Sequence, residues 1–194
     1  MNTQTPLWGL LVAGGRSQRM GQDKALIEVD GLPLWRRQLE LLSTACSQVA
    51  VAAPVRPQWL TSEIHLVPDA EGAHGPLAGL IAGLRWADGG GARGLLALAV
   101  DLPRLDAALL QELVTERVNG CGIVCRTQWG FEPLCALYPT EALPCAEEQA
   151  KAGDWKMQNL VARLVDEERL KVRHLSESET LLLLNINTPS DWAR

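Results

Sequence analysis

One short segment combines the residue types that a phosphate-binding loop needs. Residues 11–24 run from an apolar stretch into Gly14-Gly15 and then present Arg16, Arg19 and Lys24. Glycines let backbone N–H groups approach phosphate oxygens, and cations neutralise the charge that the amides leave uncompensated. The alternative is a glycine-rich turn between a strand and a helix whose cations are only solvated. Because an apolar run leads directly into the glycines, we predict a polyphosphate site.

Two standard nucleotide motifs are excluded for this loop. A Walker A loop has four residues between its glycines and then Lys-Ser/Thr, whereas five residues separate Gly15 from Gly21 and Gln22 follows. The dinucleotide pattern Gly-x-Gly-x-x-Gly is also absent from this loop. These absences argue against a P-loop NTPase and against a nicotinamide-dependent reductase.

A carboxylate follows a second run of apolar residues. Asp101 comes directly after residues 94–100, which carry no charge and predict a buried strand. Ligands of open α/β sheets bind at the carboxyl ends of such strands, and a single carboxylate there suits Mg²⁺ completed by phosphate oxygens and water. The alternative is that Asp101 only begins a turn before Pro103. We favour a metal-binding role for Asp101.

The elements that must position these residues alternate along the chain. Short apolar runs alternate with stretches of helical period, which predicts an α/β fold with three layers and a mostly parallel sheet. We expect one domain over residues 1–194. Strands are predicted at residues 7–13, 48–53, 64–67, 94–100, 122–126, 133–138, 171–175 and 181–185. Helices are predicted from Pro33, along Leu77, Leu80, Ile81 and Leu84, over 107–118 with Asp106 as cap, from about Thr140, along the stripe from Met157 to Val165, and from Pro189.

Composition narrows the range of partners. The 194 residues are 47% hydrophobic and 21% charged, and 18 Lys and Arg against 23 Asp and Glu give a net charge of −5. Without a Lys/Arg run, a nucleic-acid partner is not expected.

The longest uncharged stretch, residues 41–55, is too short and too polar to span a membrane. The first residues lack the positive region of a secretory signal, and we expect a cytoplasmic protein whose five cysteines are reduced core thiols.

With these residues in place, the chain resembles the nucleotidyltransferases with a Rossmann-like nucleotide-diphospho-sugar transferase (glycosyltransferase-A-like) fold. Within that group it is most similar to the molybdenum cofactor guanylyltransferases. The resemblance spans about residues 8–192. The matching motifs are Val12-Ala13-Gly14-Gly15, Arg19-Met20-Gly21, Lys24, Asp69, Gly75-Pro76-Leu77-Ala78-Gly79, Asp101-Leu102-Pro103 and Asn185-Ile186-Asn187-Thr188-Pro189.

The resemblance implies a role for each matching residue. Lys24, Arg19 and Asp101 would be catalytic, and Asp101 would hold Mg²⁺. The nucleotide would be bound by Val12, Ala13, Gly14, Gly15, Lys24, Asp69, Gly75, Pro76, Leu77, Gly79 and Asp101, with the loop from Gly75 to Gly79 against the base and ribose. From the residues alone, Pro68-Asp69 also fits an ordinary turn, and Gly75 to Gly79 also fits a helix start with Pro76 in the first turn.

The pterin side of the site is represented by fewer residues. Asn185 and Asn187 alternate with Ile186, so on a strand both amides would leave one face towards a pterin or its phosphate. The alternative is a strand that ends before Thr188-Pro189. Lys156 is the candidate cation where the family has basic pairs. Ala52 and Ala53 stand where family members often have a nucleotide-contacting asparagine.

The activity that the resemblance implies is the transfer of GMP from GTP to the terminal phosphate of molybdopterin, with release of pyrophosphate. GTP and molybdopterin are then the substrates, Mg²⁺ the cofactor, and the protein a monomer in transient contact with molybdoenzyme assembly proteins. The sequence Ala13-Gly14-Gly15 favours guanine, because relatives that use CTP more often have Ala-Ala-Gly. A cytidylyltransferase, another small-molecule nucleotidyltransferase and a non-catalytic carrier of GTP or cofactor are the alternatives.

Seven tryptophans accompany one tyrosine and one phenylalanine. Four lie in predicted elements and are expected to pack in or near the core: Trp8, Trp35, Trp86 and Trp192. Trp59, Trp129 and Trp155 lie near predicted loops and are candidates for stacking on a flat ligand.

Overall fold

The computed structural model describes residues 6–13, 23–69, 73–117 and 120–185. The described strands are β1 (Leu7–Val12), β2 (Glu28–Val29), β3 (Leu32–Pro33), β4 (Gln48–Ala53), β5 (His65–Pro68), β6 (Gly94–Ala99), β7 (Gly122–Thr127), β8 (Gly130–Pro139) and β9 (Leu170–His174). The described α-helices are α1 (Leu34–Ala45), α2 (Gly75–Gly89), α3 (Ala107–Glu116), α4 (Leu143–Lys151), α5 (Met157–Asp166) and α6 (Glu177–Leu182).

Seven of these strands form one sheet in the order β5-β4-β1-β6-β8-β7-β9, while β2 and β3 form a small ribbon. Neighbouring strands of the sheet are parallel except at β8, which is antiparallel to both β6 and β7. A tight turn joins β7 to β8, and only antiparallel strands can be joined so closely. The prediction of a mostly parallel sheet is confirmed.

This topology gathers several chain segments at one edge of the sheet. The carboxyl ends of β1, β4, β5 and β6 meet there, because these strands are mutually parallel. The amino end of β8 reaches the same side, because β8 runs in the opposite direction. We call this side the carboxyl edge.

Helices cover both faces of the sheet and complete three layers. One face presents Leu10 and Val12 to the layer that contains α2, α4 and α5. The other presents Leu11 and Leu98 to α1 and α3. Every residue of β1 is buried, which explains why its sequence is apolar throughout instead of alternating.

The helices on which the site depends form for local reasons that are visible in the sequence. The Asp106 carboxylate caps α3 by accepting from the Leu109 N–H at 3.0 Å, as predicted. α2 packs closely on β1 because Gly83 has no side chain: a Cβ atom there would lie 2.4 Å from Leu10 Cδ2. The helix then ends in the glycines that follow Asp88, where the sequence predicts its end.

The predicted strand over residues 181–185 is wrong. The chain forms α6 there, ending at Leu182, and the helix begins with a capping box. The Ser176 hydroxyl accepts from the Glu179 N–H, and the Glu179 carboxylate accepts from the Ser176 N–H. This local pairing outweighs the strand tendency of a short apolar run, so Asn185 follows a helix instead of lying on a strand.

Within the described ranges, no helix combines the length and the apolar character that crossing a membrane requires. All five cysteines are free, with Cys125, Cys135 and Cys145 buried and Cys46 and Cys121 partly exposed. The predicted helix from Pro189 lies outside the described residues.

Candidate active site

Lys24 and Asp101 meet at the carboxyl edge although 77 residues separate them in the chain. Lys24 Nζ lies 3.1 Å from Asp101 Oδ2, and the two side chains are 20% and 21% exposed. No hydrogen bond from the described parts of the chain reaches the other oxygen, Asp101 Oδ1. The arrangement therefore offers an ammonium to an anion and a carboxylate oxygen to a cation within one small volume.

Helix α1 holds the segment that follows Asp101. The side chain of Gln38, which is fully buried, donates from Nε2 to the Leu102 carbonyl. Arg37 Nε donates to the Pro103 carbonyl at 3.0 Å, and Arg37 Nη2 donates to the Leu105 carbonyl at 3.1 Å. The sequence analysis did not single out Arg37 or Gln38. The one sequence signal is that Gln38 is a polar residue on the face of α1 that otherwise carries leucines.

A second group of residues lies at the ends of β1, β4 and β5. A Cβ atom at Gly79 would lie 3.0 Å from the Ala52 Cβ, and 3.5 Å from both Val12 Cγ1 and Asp69 Oδ1. The absence of a side chain at Gly79 thus lets α2 approach the strand ends. Ala52, at the position where an asparagine was expected, is part of this close contact.

Asp69 carries a buried carboxylate oxygen that lacks a partner. Its Oδ1 is inaccessible to solvent and has no hydrogen bond within the described structure. Burial raises the pKa of Asp69 above its usual value. Buried polar atoms in native proteins are nearly always paired, so this oxygen is suited to accept a hydrogen bond from a ligand.

The first turn of α2 adds backbone N–H groups to the same edge. The helix begins at Gly75, whose φ of +67° suits glycine, and Pro76 lies in the first turn as predicted. His74, the N-cap residue, makes no side-chain hydrogen bond that caps the helix. The amino end of a helix carries partial positive charge, so the start of this 15-residue helix favours a negatively charged group.

Other predicted residues are not brought to the Lys24–Asp101 pair. Lys156 is exposed before α5, where its N–H donates to Asp154 Oδ1 and its carbonyl accepts from Gln149. Asn185 is exposed beyond α6. The pterin roles of Lys156 and Asn185 stay predictions. The predicted site residues outside the described ranges are Gly14, Gly15, Arg19 and Asn187.

The turn between β7 and β8 places further polar and aromatic groups on the carboxyl side. Burial raises the pKa of Glu132, and a hydrogen bond from the Thr127 hydroxyl at 3.2 Å opposes that shift. The Arg126 guanidinium lies 4.7 Å from the centre of the Phe131 ring, and Trp129 is 68% exposed. The sequence analysis named only Trp129 here. The sequence feature that could have drawn attention to the neighbouring polar and aromatic residues is the short link between two strands, which contains aromatic residues and a glycine.

The three candidate stacking tryptophans differ in what they contact. Trp59 stacks on Trp35 with ring centres 5.3 Å apart, and Trp155 makes an edge contact with His74 at 5.8 Å. Trp129 has the most open ring of the three. Stacking on a flat ligand stays a prediction for Trp129.

The donor set at the carboxyl edge fits one kind of metal site. Across the ranges that the structure describes, no three His, Cys, Asp or Glu side chains are grouped to hold a metal ion. Zinc and calcium sites normally need three or more protein ligands, whereas Mg²⁺ is commonly held by one or two carboxylates together with substrate phosphates and water. Asp101, whose Oδ1 accepts no hydrogen bond from the described residues, fits the second arrangement.

Known proteins resemble this chain in sequence. Residues 9–169 match the family described as MobA-like NTP transferase domain. The chain is 38% identical over 189 residues to a probable molybdenum cofactor guanylyltransferase of Opitutus terrae, covering 97% of this chain and 94% of the relative. It is 33% identical to the molybdenum cofactor guanylyltransferase of Xanthomonas euvesicatoria pv. vesicatoria, covering 100% of this chain and 96% of the relative.

A solved structure shares the fold. The molybdopterin-guanine dinucleotide biosynthesis protein A of Archaeoglobus fulgidus superposes with a TM-score of 0.75 and 24% identity, covering 96% of this chain and 95% of the other. This likeness confirms the predicted fold class, a three-layer α/β nucleotidyltransferase fold with a mostly parallel sheet.

Proposed function

Because the chain belongs to the MobA-like NTP transferase family, we propose that it transfers GMP from GTP to the terminal phosphate of molybdopterin and releases pyrophosphate. The observation that carries this proposal is the contact between Lys24 and Asp101 at the carboxyl edge. It supplies one group of each charge where ligands of open α/β sheets bind. We choose GTP and molybdopterin as substrates because the relatives are molybdenum cofactor guanylyltransferases.

The chemistry needs no nucleophilic side chain. A terminal oxygen of the molybdopterin phosphate attacks the α-phosphorus of GTP in line, a new P–O bond forms, and the bond to the β-phosphate oxygen breaks. Because the attacking phosphate is already ionised at neutral pH, no general base is needed. The protein contributes orientation and charge compensation.

Individual groups of the chain divide that work. The Lys24 ammonium compensates charge on the transferred and leaving phosphates, and we assign the same role to Arg19 and to the amides of Gly14-Gly15. Asp101 would hold Mg²⁺, which when bound supplies positive charge and fixes the phosphate geometry. The unpartnered oxygen of Asp69 would accept a hydrogen bond from the nucleotide, since a carboxylate is a pure acceptor.

We place this activity in the cytoplasm, where GTP is available. A cytidylyltransferase acting on the same cofactor is the second candidate, because Asp69 and the Lys24–Asp101 pair would serve CTP as well as GTP.

A pyrophosphate-release assay tests the proposal. The protein is incubated with Mg²⁺ and GTP, CTP, ATP or UTP, each with and without molybdopterin. We expect release only with GTP and molybdopterin together, and a covalent guanine–pterin dinucleotide in the products. Release with CTP in preference to GTP would establish the cytidylyltransferase. Binding of GTP without product over many turnover times would instead establish a carrier.

A further inference from the structure

The two oxygens of the Asp23 carboxylate hold two distant parts of the chain. Oδ1 accepts from the Ala25 N–H at 3.0 Å and so caps the short 3-10 turn Lys24–Leu26. Oδ2 accepts from the indole Nε1–H of Trp59 at 2.8 Å, across 36 residues. Hydrogen bonds to an ionised carboxylate are about twice as strong as neutral ones. Asp23 therefore joins the turn that begins with Lys24 to the loop that carries Trp59.

The loop that carries Trp59 is itself anchored. The Trp59 ring stacks on Trp35 at an interplanar angle of 22°, and Trp35 is the second residue of α1. The next residue, Leu60, is only 4% exposed. Arg56 Nη1 donates to the Thr61 carbonyl at 2.8 Å and closes the loop. Trp59 thus presents its N–H from a fixed support instead of a loose loop.

Helix α1 is the common support for both charged groups of the site. Its Trp35 supports Trp59, which holds Asp23 and through it the turn of Lys24. The Leu34 N–H also donates to the Ile27 carbonyl at 2.9 Å, directly after that turn. One turn further along α1, the Arg37 and Gln38 side chains hold the segment that follows Asp101. The first turns of α1 therefore set the position of the ammonium relative to the carboxylate.

From this arrangement we propose that Asp23 and Trp59 are positioning residues that hold Lys24 in place for phosphate contact. The inference rests on the proposed function, because it concerns the lysine assigned there to charge compensation. A lysine side chain has four rotatable bonds and a compact charge, so its contribution depends on where its backbone is held. A displacement of about 1 Å in a catalytic group is enough to reduce turnover strongly.

The kinetic test uses Trp59→Phe, which keeps an aromatic ring against Trp35 and removes the N–H donor. We expect kcat for pyrophosphate release to fall about tenfold, while KM for GTP changes less than kcat does. The matched control is Trp86→Phe, since Trp86 also lies in an aromatic pair, with Trp8 at 4.3 Å, but on the far part of α2. The control variant is expected to retain wild-type kcat.

A double-mutant cycle separates positioning from a general structural role. If Trp59 acts through Lys24, Trp59→Phe has no further effect in a protein that already carries Lys24→Ala. Multiplicative losses in the double variant would overturn the proposal, as would a wild-type kcat in Trp59→Phe.

Two measurements do not depend on turnover. Trp59→Phe identifies the Trp59 indole N–H signal in a ¹⁵N spectrum, and Asp23→Ala should shift that signal and speed its exchange with solvent. Binding of inorganic pyrophosphate, followed by calorimetry, should weaken several-fold in Trp59→Phe only when Lys24 is present. A wild-type protein that releases no pyrophosphate with any nucleotide would refute the proposed function, whereas an unshifted indole signal or unchanged pyrophosphate affinity would refute the positioning role.

Discussion

Two clusters in this protein each combine positive and negative side chains, and they differ in the groups that surround the charges. At the carboxyl edge, Asp101 accepts from Lys24 through Oδ2, and within the described residues no hydrogen bond reaches Asp101 Oδ1. On the other half of the sheet, Arg173 of β9 meets Glu112 and Glu116 of α3 and Glu179 of α6, with 2.6 Å between Arg173 Nη2 and Glu179 Oε1. The first cluster has capacity for a ligand, whereas in the second a cation is surrounded by carboxylates of the protein itself.

The difference shows how the surroundings of a charge separate a reactive pair from a structural one. Arg173 is 14% exposed and connects a strand with two helices, so its charge is used to hold elements together. Although burial opposes it, the hydrogen bond that Arg173 donates to Glu179 and the charges of Glu116 and Glu112 raise the pKa of Arg173. Removing Arg173 should therefore affect stability, and removing Lys24 or Asp101 should affect turnover.

The largest expected effect is on turnover at the carboxyl edge. Lys24→Ala and Asp101→Asn should each lower kcat about 10²–10³-fold, because in the proposed function each removes a charge that faces the reacting phosphates. The free energy of unfolding should change by only about 1 kcal/mol, since the two side chains of this ion pair, 20% and 21% exposed, keep some contact with solvent. Pyrophosphate release and urea unfolding measure the two quantities. A folded Lys24→Ala protein with full activity would contradict the assignment.

The second effect concerns the oxygen of Asp69 that lacks a partner. Asp69→Asn should weaken GTP binding about tenfold, in the range expected for one hydrogen bond to a charged group. The unliganded variant should be at least as stable as the parent, because a partly buried charge without a partner is removed. Calorimetric titration with GTP measures the change in affinity, and thermal unfolding measures the change in stability. Destabilisation together with unchanged GTP affinity would show that Asp69 is structural.

Substitution of Arg173 should lower the stability of the protein and leave its turnover unchanged. Arg173→Met keeps much of the side-chain volume but leaves three carboxylates without their shared cation. We expect a loss of about 2 kcal/mol in unfolding free energy, below the range for a fully buried pair because the glutamates are partly exposed. The kcat of the folded variant should stay near wild type. A comparable fall in kcat without loss of stability would remove the distinction between the clusters.

The smallest effect concerns the cap of α6, which supplies Glu179 to that cluster. Ser176→Ala should destabilise the protein by about 1 kcal/mol, the usual contribution of an N-cap. Hydrogen bonds from the Ser176 hydroxyl and N–H, and from Arg173, lower the pKa of Glu179 from 4.5 to about 2. Since the folded pKa is lowered, this stabilisation is present above pH 4.5 and is lost as the pH falls towards about 2.

Urea unfolding of both proteins across that pH range measures the effect. The stability difference between wild type and Ser176→Ala should shrink as the pH falls through this window. A stability difference that is independent of pH would show that the hydrogen bonds of the cap do not lower the pKa of Glu179.

The described helix and strand positions that sequence analysis predicted correctly are those specified by local pattern. β1, β4 and β6 are short apolar runs, and α2 has a continuous apolar stripe, so burial alone determines their type. The error at residues 181–185 arose where two local signals competed. The Ser176–Glu179 capping box was present in the sequence, but the apolar run after it was given more weight.

By itself, the sequence determined the alternation of strands and helices, the basic glycine-rich segment and the placement of Asp101 at a strand end, because each depends on neighbouring residues. Only the tertiary structure decided that Lys24 meets Asp101, that Gly79 lies against Asp69, and that Trp59 holds Asp23. These contacts join residues of different elements, up to 77 positions apart in the chain. They depend on the order of the strands in the sheet and on the packing of α1 and α2, which no local pattern encodes.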